Sequence, residues 1–459
     1  MQDIWDVGPN YTLEKFIGQG SYGSVYLGRH IESGKKVAIK KIINVFDNYQ
    51  ECKQILRSIR ILRKLRHPCI VKIIEIIEPE DLQNFNEIYI VMEYCDSDLC
   101  KVIFYNKSFP VCYVKKIMYN ILSALYFLHS AGIVHRDIKP SNVLINQDCT
   151  IKICDFDLAR SLVGISSNYS SLSIPIDDEK IEDKNQVLKP LKLNFNYDNK
   201  LISYEDTIEN NEKISEEYLN SFINIKNQTF ATLKKEELQK RLELTKNERG
   251  LHKRQLSSHV CTRWYRPLEI IMLENSYDFK VDVWSSGCIF AELLKMIKQS
   301  NKEITPFTKV PLFRGDGCYP LSPIDANLVS SSKASEARDQ ISVILSILGT
   351  PNENDKSFIS NPDMLKYLEK FQKLQKQKLI ISEDEKANNL LNLMLEFNPY
   401  NRISIEDSLK HPYFEDTIEK IDPFISEEKV ILEFDNSTQT DIHYLRRLVI
   451  EEILYYKGH

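Results

Sequence analysis

Hydrophobic positions in the first part of the chain follow patterns typical of strands. Apolar and β-branched residues fill positions 37–43 and 87–92, and each run is short enough for one strand. Between these runs, Ile55, Ile59 and Leu62 recur at the spacing of an amphipathic helix. The pattern therefore predicts a small lobe built of strands with one helix.

Farther along the chain, the apolar residues form longer runs. Positions 111–131 and 280–296 are apolar over most of their length, which predicts helices buried inside a larger lobe. Together these patterns predict an α+β fold, with a small β-rich lobe over residues 1–95 and a mainly helical lobe over residues 96–424. We expect residues 425–459 to pack back on these lobes. A ligand is expected between the two lobes, because clefts between domains favour ligands.

Residues 161–256 interrupt this pattern. Serine clusters occupy 166–173, and polar tracts rich in Asn, Lys, Glu and Asp follow them. This composition predicts disorder over 161–200, whereas leucines set among Glu and Lys favour a helix over 231–248. The segment is interpreted either as a solvated linker or as a regulatory insert, and the sequence leaves both interpretations open.

Composition and charge narrow the class of protein. The 459 residues are 42% hydrophobic and 27% charged, which are ordinary values for a folded chain with more than one core. The net charge of −5 gives no sign of nucleic-acid binding. Ten cysteines without a Cys-x-x-Cys pair predict thiols in a reducing compartment. The N-terminus lacks a signal-like apolar run and no stretch approaches the length of a membrane span, so we expect no membrane partner.

The most specific motif lies at His135–Asn142, which reads H-R-D-I-K-P-S-N. It matches H-R-D-x-x-x-x-N, the catalytic loop of protein kinases. In such a loop the carboxylate of Asp137 accepts the proton of an incoming hydroxyl, and Asn142 reaches a magnesium ion on the ATP phosphates. The motif therefore predicts phosphoryl transfer.

Three shorter motifs stand in the order that this chemistry requires. Gly18–Val25 fits G-x-G-x-x-G-x-V, in which glycines let the backbone close over phosphates, although alone it equally fits a tight turn. Val37–Lys40 reads V-A-I-K, and Lys40 is then expected to bind the α- and β-phosphates. Asp155–Asp157 reads D-F-D in place of D-F-G, and Asp155 is the predicted magnesium ligand.

These motifs resemble those of eukaryotic protein kinases, and further segments are similar to the mitogen-activated protein kinases. Those segments are Met92–Leu99 at the hinge, Thr262–Arg266 at the end of the activation segment, Asp282–Leu293 in the central helix, Leu348–Pro351 and His411–Phe414. The resemblance covers residues 10–160 and 257–425. It implies a bilobal kinase fold, ATP and Mg²⁺ as cofactors, and a serine/threonine kinase of intracellular signalling, located in the cytoplasm and also in the nucleus.

The resemblance also assigns roles to individual residues. Asp137 is expected to act as the catalytic base, Lys139 to stabilise the transferring phosphoryl group, and Lys40 to position the phosphates. Asn142 and Asp155 are the expected magnesium ligands. The residues expected to bind ATP are Ile17, Gly18, Gln19, Gly20, Ser21, Tyr22, Gly23, Val25, Ala38, Lys40, Met92, Glu93, Cys95 and Asp98.

Two positions in the motifs expected to hold ATP and magnesium depart from the family pattern. The small-lobe helix of a kinase offers this lysine a glutamate, but alignment puts Ser58 at that position. Glu51 lies roughly 10 Å away along a helix axis, so we expect Lys40 to be poorly oriented. Asp157 replaces the glycine of D-F-G. Because aspartate tolerates the left-handed backbone region better than most residues, the motif can still form, with a second carboxylate near the metal.

Two later departures bear on structure and regulation. The motif ending at Glu269 reads R-P-L-E in place of R-A-P-E, and Glu269 is expected to form a structural ion pair with Arg402. The phosphorylated Thr-x-Tyr of the family falls on Ser257-Ser258-His259, which has no tyrosine. We therefore expect phosphorylation at the two serines, by an upstream kinase or by the chain itself, with Arg136 as the phosphate's nearest partner.

Substrates and partners are suggested by three residues. Arg263 matches an arginine that, in related kinases, occupies a backbone carbonyl beside the pocket for the residue after the phosphoacceptor. This implies protein substrates with Ser-Pro or Thr-Pro sites, since proline has no N–H to lose there. Glu419 and Asp422 lie where the family binds basic docking peptides, although a solvated acidic turn would explain them equally well.

Two other interpretations stay open. Ser58 and Asp157 also fit a catalytically weak pseudokinase that acts as a signalling scaffold. Against it, the chain keeps every residue that contacts phosphate or metal during transfer. A cyclin-dependent type of kinase is the second alternative, which the hinge segment Met92–Leu99 and the region beyond Phe414 disfavour.

Overall fold

The computed structural model describes residues 5–20, 23–105, 108–163, 236, 238–246, 249, 261–275, 277–298, 309–322, 338–436 and 441–458. The predicted ATP-binding residues Ser21 and Tyr22 and the predicted phosphorylation sites Ser257 and Ser258 lie outside this part of the chain. Most of the tract 161–200, for which the sequence predicts disorder, lies outside it as well. The strands and helices that are given numbers below belong to one compact unit, built from residues before 164 and after 241.

A five-stranded antiparallel sheet forms the first lobe, with its strands in the order β1-β2-β3-β5-β4. The strands are β1 Tyr11–Gln19, β2 Gly23–His30, β3 Lys36–Ile43, β4 Ile73–Ile77 and β5 Glu87–Glu93. Strand β3 is central, so Lys40 pairs with Val25 on one side and with Ile90 on the other. These two ladders fix the backbone from which the Lys40 side chain projects.

Helix α1, Tyr49–Lys64, packs against β4 of this sheet. The Asn48 side chain caps its first turn by accepting the N–H groups of Gln50 and Glu51. Its apolar stripe, including Ile55 and Ile59, is buried as the sequence predicts. The helix ends at Lys64 because Leu65 has an extended backbone.

Helices make up most of the second lobe. They are α2 Leu99–Tyr105, α3 Val111–Ser130, α4 Leu268–Ile271, α5 Lys280–Lys295, α6 Gln340–Leu348, α7 Glu353–Lys356, α8 Pro362–Leu368, α9 Glu385–Met394 and α10 Ile405–Leu409. The two long buried helices that the sequence predicts are α3 and α5, and they pack on each other. The α+β fold class is therefore confirmed. Residues 238–244 are also helical, inside the predicted stretch 231–248.

Helix α3 corrects one expectation from the sequence. Among the described helices it is long and apolar enough to cross a membrane, with 20 residues and a mean hydropathy of 1.2, so the statement that no stretch approaches this length is wrong. Its most apolar window is 78% buried inside the protein. Helices α5 and α10 pack against it, so its apolar character is explained by the core of the lobe.

Short strands next to the catalytic loop and the Asp155–Asp157 turn position the predicted kinase motifs. They are β6 Ser97–Asp98, β7 Ile133–Val134, β8 Val143–Ile145, β9 Ile151–Ile153 and β10 Arg160–Ser161. Strands β8 and β9 form a hairpin, so that Asn142 precedes one strand and Asp155 follows the other at the same end. The N–H of Cys154 donates to the carbonyl of Asn142 at 3.0 Å, which holds these two chain segments together.

The last part of the chain returns to the first lobe. Helix α11, Glu433–Asn436, is followed by α12, Ile442–Lys457, which packs on α1 and β4. Val449 and Ile453 are fully buried in this contact. Helix α1 is thus held between the sheet and the C-terminal segment.

Candidate active site

A cleft of about 840 Å³ lies against the open face of the sheet, and its size suits a nucleotide-sized ligand. The predicted ATP-binding residues that line it are Ile17, Gly18, Gln19, Gly20, Val25, Ala38, Lys40, Met92, Glu93, Cys95 and Asp98. Lys139, Asn142 and Asp155 line it from the other lobe. Gly23 lies in β2 rather than on the cleft wall. A Cβ atom there would come within 1.7 Å of the Lys41 carbonyl oxygen, so only glycine fits.

Asp137 is held by hydrogen bonds on both carboxylate oxygens. Its Oδ2 accepts the Lys139 ammonium at 2.8 Å and the Asn142 amide at 3.1 Å. Its Oδ1 accepts both the N–H and the hydroxyl of Thr262, at 3.0 and 2.9 Å. The structure therefore brings the predicted base and the predicted phosphate-stabilising lysine together. Because each oxygen already accepts two bonds, an incoming hydroxyl must displace one donor.

Thr262 is a site residue that the sequence analysis names only as part of a motif. Besides binding Asp137, its hydroxyl accepts the Lys139 ammonium at 3.0 Å. It therefore links the end of the activation segment to the catalytic loop. Its position at the start of the T-R-W-Y-R motif is the one sequence signal that could have identified it as a site residue.

Asp282, on helix α5, holds the backbone of the catalytic loop by hydrogen bonds. Its carboxylate accepts the N–H groups of His135 and Arg136, each at 2.9 Å, and contacts His129 at 3.0 Å. Burial favours its neutral form, but the hydrogen bonds and charge of His129 and His135 hold the pKa of Asp282 below its ordinary value. These bonds stabilise Arg136 in the left-handed region, at φ 67°. The sequence analysis misses this role, although Asp282 opens the motif quoted for the central helix.

In the Asp155–Asp157 turn, the residue with the left-handed backbone is not Asp157, which occupies the glycine position of the family motif. The left-handed residue is Asp155, at φ 64°, while Asp157 lies in a 3₁₀ turn with ordinary backbone angles. Phe156 is fully buried and its ring lies 4.8 Å from that of His135. Aspartate therefore fits the third position without backbone strain in this conformation.

Lys40 has a carboxylate partner, Asp157, which the sequence analysis did not name when it expected a poorly oriented lysine. Its ammonium lies 3.0 Å from Oδ2 of Asp157. Burial opposes the charged ammonium, but the nearby carboxylates of Asp157 and Asp155 raise the pKa of Lys40 above its ordinary value. Glu51 contacts the side chain of Asn48 at 3.2 Å, at the far end of α1, as its distance along the helix predicts.

Asn142 and Asp155 form an oxygen-rich corner that fits a magnesium ion. Both described hydrogen bonds of Asn142 use its amide nitrogen, so its amide oxygen is not committed to them. Burial, and then repulsion from Asp157, raises the pKa of Asp155 to about 6. A bound cation relieves both penalties, and oxygen donors of this kind suit Mg²⁺.

The end of the activation segment is fastened to the helical lobe. Arg263 donates to the carbonyl of Asp316, and the indole N–H of Trp264 donates to the carbonyl of Gly315 at 2.9 Å. Arg402 binds Glu269 through two hydrogen bonds of 2.8 and 3.0 Å, and both side chains are buried. The predicted structural ion pair is confirmed.

A buried charge cluster that the sequence analysis misses joins α1 to the start of the activation segment. Asp435 on α11 accepts two hydrogen bonds from Arg57 on α1, at 2.6 and 3.0 Å. The same carboxylate lies 3.3 Å from Nε of Arg160 in β10. Arg136 lies near this cluster and donates to the Leu158 carbonyl and the Tyr277 hydroxyl. No local motif marks Asp435, which is 378 residues from Arg57.

The predicted docking residues lie on the surface of the helical lobe. Asp422 is exposed. The carboxylate of Glu419 already contacts the Lys116 ammonium at 2.5 Å, and the neighbouring Asp416 contacts Lys115. Part of the acidic charge is therefore neutralised within the chain.

Comparisons with known proteins agree with this geometry. The model of the protein kinase domain family matches residues 11–174 and 243–414. The chain is 28% identical over 449 residues to "Extracellular signal-regulated kinase 1" of Dictyostelium discoideum, an alignment that covers 97% of this chain and 62% of that protein. It is 26% identical to "Mitogen-activated protein kinase 7" of Arabidopsis thaliana, over 99% of this chain and 92% of that protein.

A third relative is "Mitogen-activated protein kinase mpk-1" of Caenorhabditis elegans, which is 30% identical over 437 residues, covering 94% of this chain and 71% of that protein. The family model spans most of the chain and contains the cleft, the catalytic loop and the Asp155–Asp157 turn. The chain therefore belongs to the protein kinase family, and within that family it resembles the mitogen-activated protein kinases.

Proposed function

We propose that this protein is an active serine/threonine kinase of the mitogen-activated type, which transfers the γ-phosphoryl group of ATP to protein hydroxyls. The observation that carries the proposal is the Asp137 carboxylate, held by Lys139 and Asn142. Kinase catalysis depends mainly on positioning and electrostatic stabilisation. A carboxylate fixed by Lys139 and Asn142, which both line the cleft, and by Thr262 supports both.

Each group then has a task in the transfer. Asp137 accepts the proton of the substrate hydroxyl after that hydroxyl displaces one of its present donors. Lys139, 2.8 Å away, supplies positive charge where the transferring phosphoryl group passes. Lys40 fixes the phosphates from the sheet. Asp155 and Asn142 would hold Mg²⁺, which would neutralise charge on the phosphates.

The pseudokinase alternative makes a different prediction for the same protein. A scaffold with this cleft binds ATP but transfers no phosphate. The Lys40–Asp157 contact supports the active enzyme, because it gives the phosphate-binding lysine a fixed position. A cyclin-dependent type of kinase is separated by whether the purified chain alone is active.

We also propose that the substrates carry Ser-Pro or Thr-Pro sites. Support comes from the resemblance of Arg263 to the arginine of proline-directed kinases and from its anchored position on the Asp316 carbonyl. Because proline has no N–H, it loses nothing in a pocket that offers no acceptor.

Regulation and partners complete the proposal. Phosphorylation at Ser257 or Ser258, by an upstream kinase or by the chain itself, would add about −1.5 to −2 charges, and the family resemblance makes Arg136 the expected partner of the phosphate. A basic docking peptide would bind at Glu419 and Asp422, in competition with Lys116 for the former. The expected location is the cytoplasm and also the nucleus.

The experiment is incubation of the purified chain with MgATP and a library of peptides, followed by mass spectrometry. The proposal predicts phosphate on serine and threonine, with proline selected at the next position. Transfer without any selection for proline would refute the substrate proposal alone. Nucleotide binding without transfer, in the phosphorylated and the unphosphorylated chain, would favour the scaffold.

A further inference from the structure

We propose that Asp157 has taken over the positioning role that a glutamate on α1 has in other kinases, and that Ser58 and Asp157 are a matched pair of replacements. The carboxylate that orients Lys40 is then carried by the turn that bears the magnesium ligand, and not by the helix. This inference rests on the proposed function, since it concerns how ATP is held for transfer.

The direct contact between Lys40 and Asp157 is the first observation. Their atoms Nζ and Oδ2 lie 3.0 Å apart, and the two side chains are only 16% and 11% exposed. Among the described residues, Asp157 is the one whose carboxylate bonds the Lys40 ammonium. A charge-assisted bond in such a site is stronger than one in water, so it restricts the lysine to one direction.

The second observation is that α1 has no acid to offer at this site. Glu51 is the one acidic residue in Tyr49–Lys64, and it belongs to the capped first turn. Ser58, at the position where the family has its glutamate, lines the same cleft as Lys40 and Asp157. A neutral serine cannot balance an ammonium. Compared with the family pattern, position 58 lacks an acidic side chain and position 157 carries one. The carboxylate at position 157 contacts the Lys40 ammonium.

The backbone explains why the exchange is possible. Asp157 lies in the 3₁₀ turn Phe156–Leu158, which α1 packs against, and the turn is closed by the N–H of Ala159 donating to Phe156 at 3.0 Å. Since its φ is not positive, an aspartate costs no strain there. The Asp157 side chain reaches from this turn to the Lys40 side chain on β3.

This arrangement has a consequence for regulation. In a kinase whose glutamate sits on the helix, moving the helix away releases the lysine. Here the bond to Lys40 depends on the conformation of the Asp155–Asp157 turn. Placement of Lys40 and presentation of Asp155 therefore change together, and outward movement of α1 alone does not break the ion pair.

The test compares the wild type with Asp157→Asn, Asp157→Gly, Ser58→Glu and the two double variants that combine Ser58→Glu with each change at 157. Two quantities are measured in each: steady-state kcat and KM for ATP in peptide phosphorylation, and affinity for a fluorescent ATP analogue with Mg²⁺. The second quantity needs no turnover, so it tests the pairing even if the wild type transfers no phosphate.

Both single changes at Asp157 should reduce kcat/KM for ATP on the order of 10²-fold, the cost of misplacing a reacting group by about 1 Å. Adding Ser58→Glu should recover at least tenfold of that loss, in kcat/KM and in analogue affinity. Ser58→Glu alone should give no gain, because Lys40 already has a partner. Lys40→Met is the matched control, in which Ser58→Glu should rescue nothing.

Two results would overturn the inference. One is an Asp157→Asn variant whose kcat/KM for ATP and affinity for the ATP analogue equal those of the wild type. The other is a double variant no better than its single parent while both keep the wild-type thermal midpoint. If Asp157→Gly fails to fold, the isosteric Asp157→Asn pair carries the test alone, since it preserves shape and removes only charge.

Discussion

The contact between Asp435 and Arg57 gives a stability prediction that can be worked from the structure. Asp435→Ala removes two hydrogen bonds of 2.6 and 3.0 Å and leaves the guanidinium buried without its carboxylate. Arg160, 3.3 Å from the same carboxylate, loses that contact as well. The side chains of Arg57 and Asp435 are 7% and 3% exposed, so solvent screens the pair little. Removing one partner of such a pair costs about 3–5 kcal/mol.

The assay is urea unfolding of the purified protein, followed by circular dichroism, with kinase activity measured in parallel. Glu433→Ala is the matched control, because it removes an exposed acid from the same short helix. The control should change the free energy of unfolding by less than about 0.5 kcal/mol. Replacing both partners, as in Arg57→Met with Asp435→Leu, should cost less than Asp435→Ala, since no unpaired charge then remains at Arg57. If Asp435→Ala matched Glu433→Ala, the cluster would contribute nothing to holding α1.

Three further predictions concern catalysis, pH and docking. Thr262→Val should lower kcat on the order of tenfold or more with KM for ATP unchanged, because the Thr262 hydroxyl bonds Asp137 and Lys139. Thr262→Ser keeps the hydroxyl and should stay near the wild-type rate. Equal kcat in Thr262→Val and the wild type would exclude a role for this hydroxyl in catalysis. Burial raises the pKa of Glu292 to about 7 from 4.5, so the folded state binds the proton more tightly than the unfolded chain does, and the free energy of unfolding should fall as pH rises from 4.5 to 7. In Glu292→Gln the free energy of unfolding should depend less on pH across this range. An unchanged dependence on pH would contradict the prediction. Reversing the charge of both docking residues, Glu419 and Asp422, should weaken the binding of a basic peptide and remove the dependence of its affinity on salt. If the affinity changed with neither the charge reversal nor salt, the two residues would belong to a solvated turn and not to a docking site.

Much of the fold and site could be predicted because the signals are local. The catalytic loop from His135 to Asn142 carries its chemistry in eight consecutive residues, and the long apolar runs of α3 and α5 identify buried helices. The Glu269–Arg402 pair followed from a family landmark, not from spacing, and the structure confirms it. In each case the deciding information lies within one short segment or in a recognised motif.

The remaining contacts join segments whose pairing no local pattern specifies. Asp157 meets Lys40 across 117 residues, and the sequence shows only that one position lost an acid while another gained one. Asp435 lies in a short polar helix that nothing distinguishes from a solvated turn until α1 is seen beside it. Helix α3 shows the opposite limit, since length and apolar composition alone do not tell a core helix from a membrane span.

The central claim, that Asp137 is the base of an active kinase, is tested most directly by phosphotransfer from MgATP in the wild type and in Asp137→Ala. Positioned base catalysis contributes about 10²–10⁴-fold, so the variant should lose at least that order in kcat. Asp363→Ala, which removes an exposed acid from the first turn of α8, should keep the wild-type rate. Equal turnover in the wild type and Asp137→Ala would contradict the account.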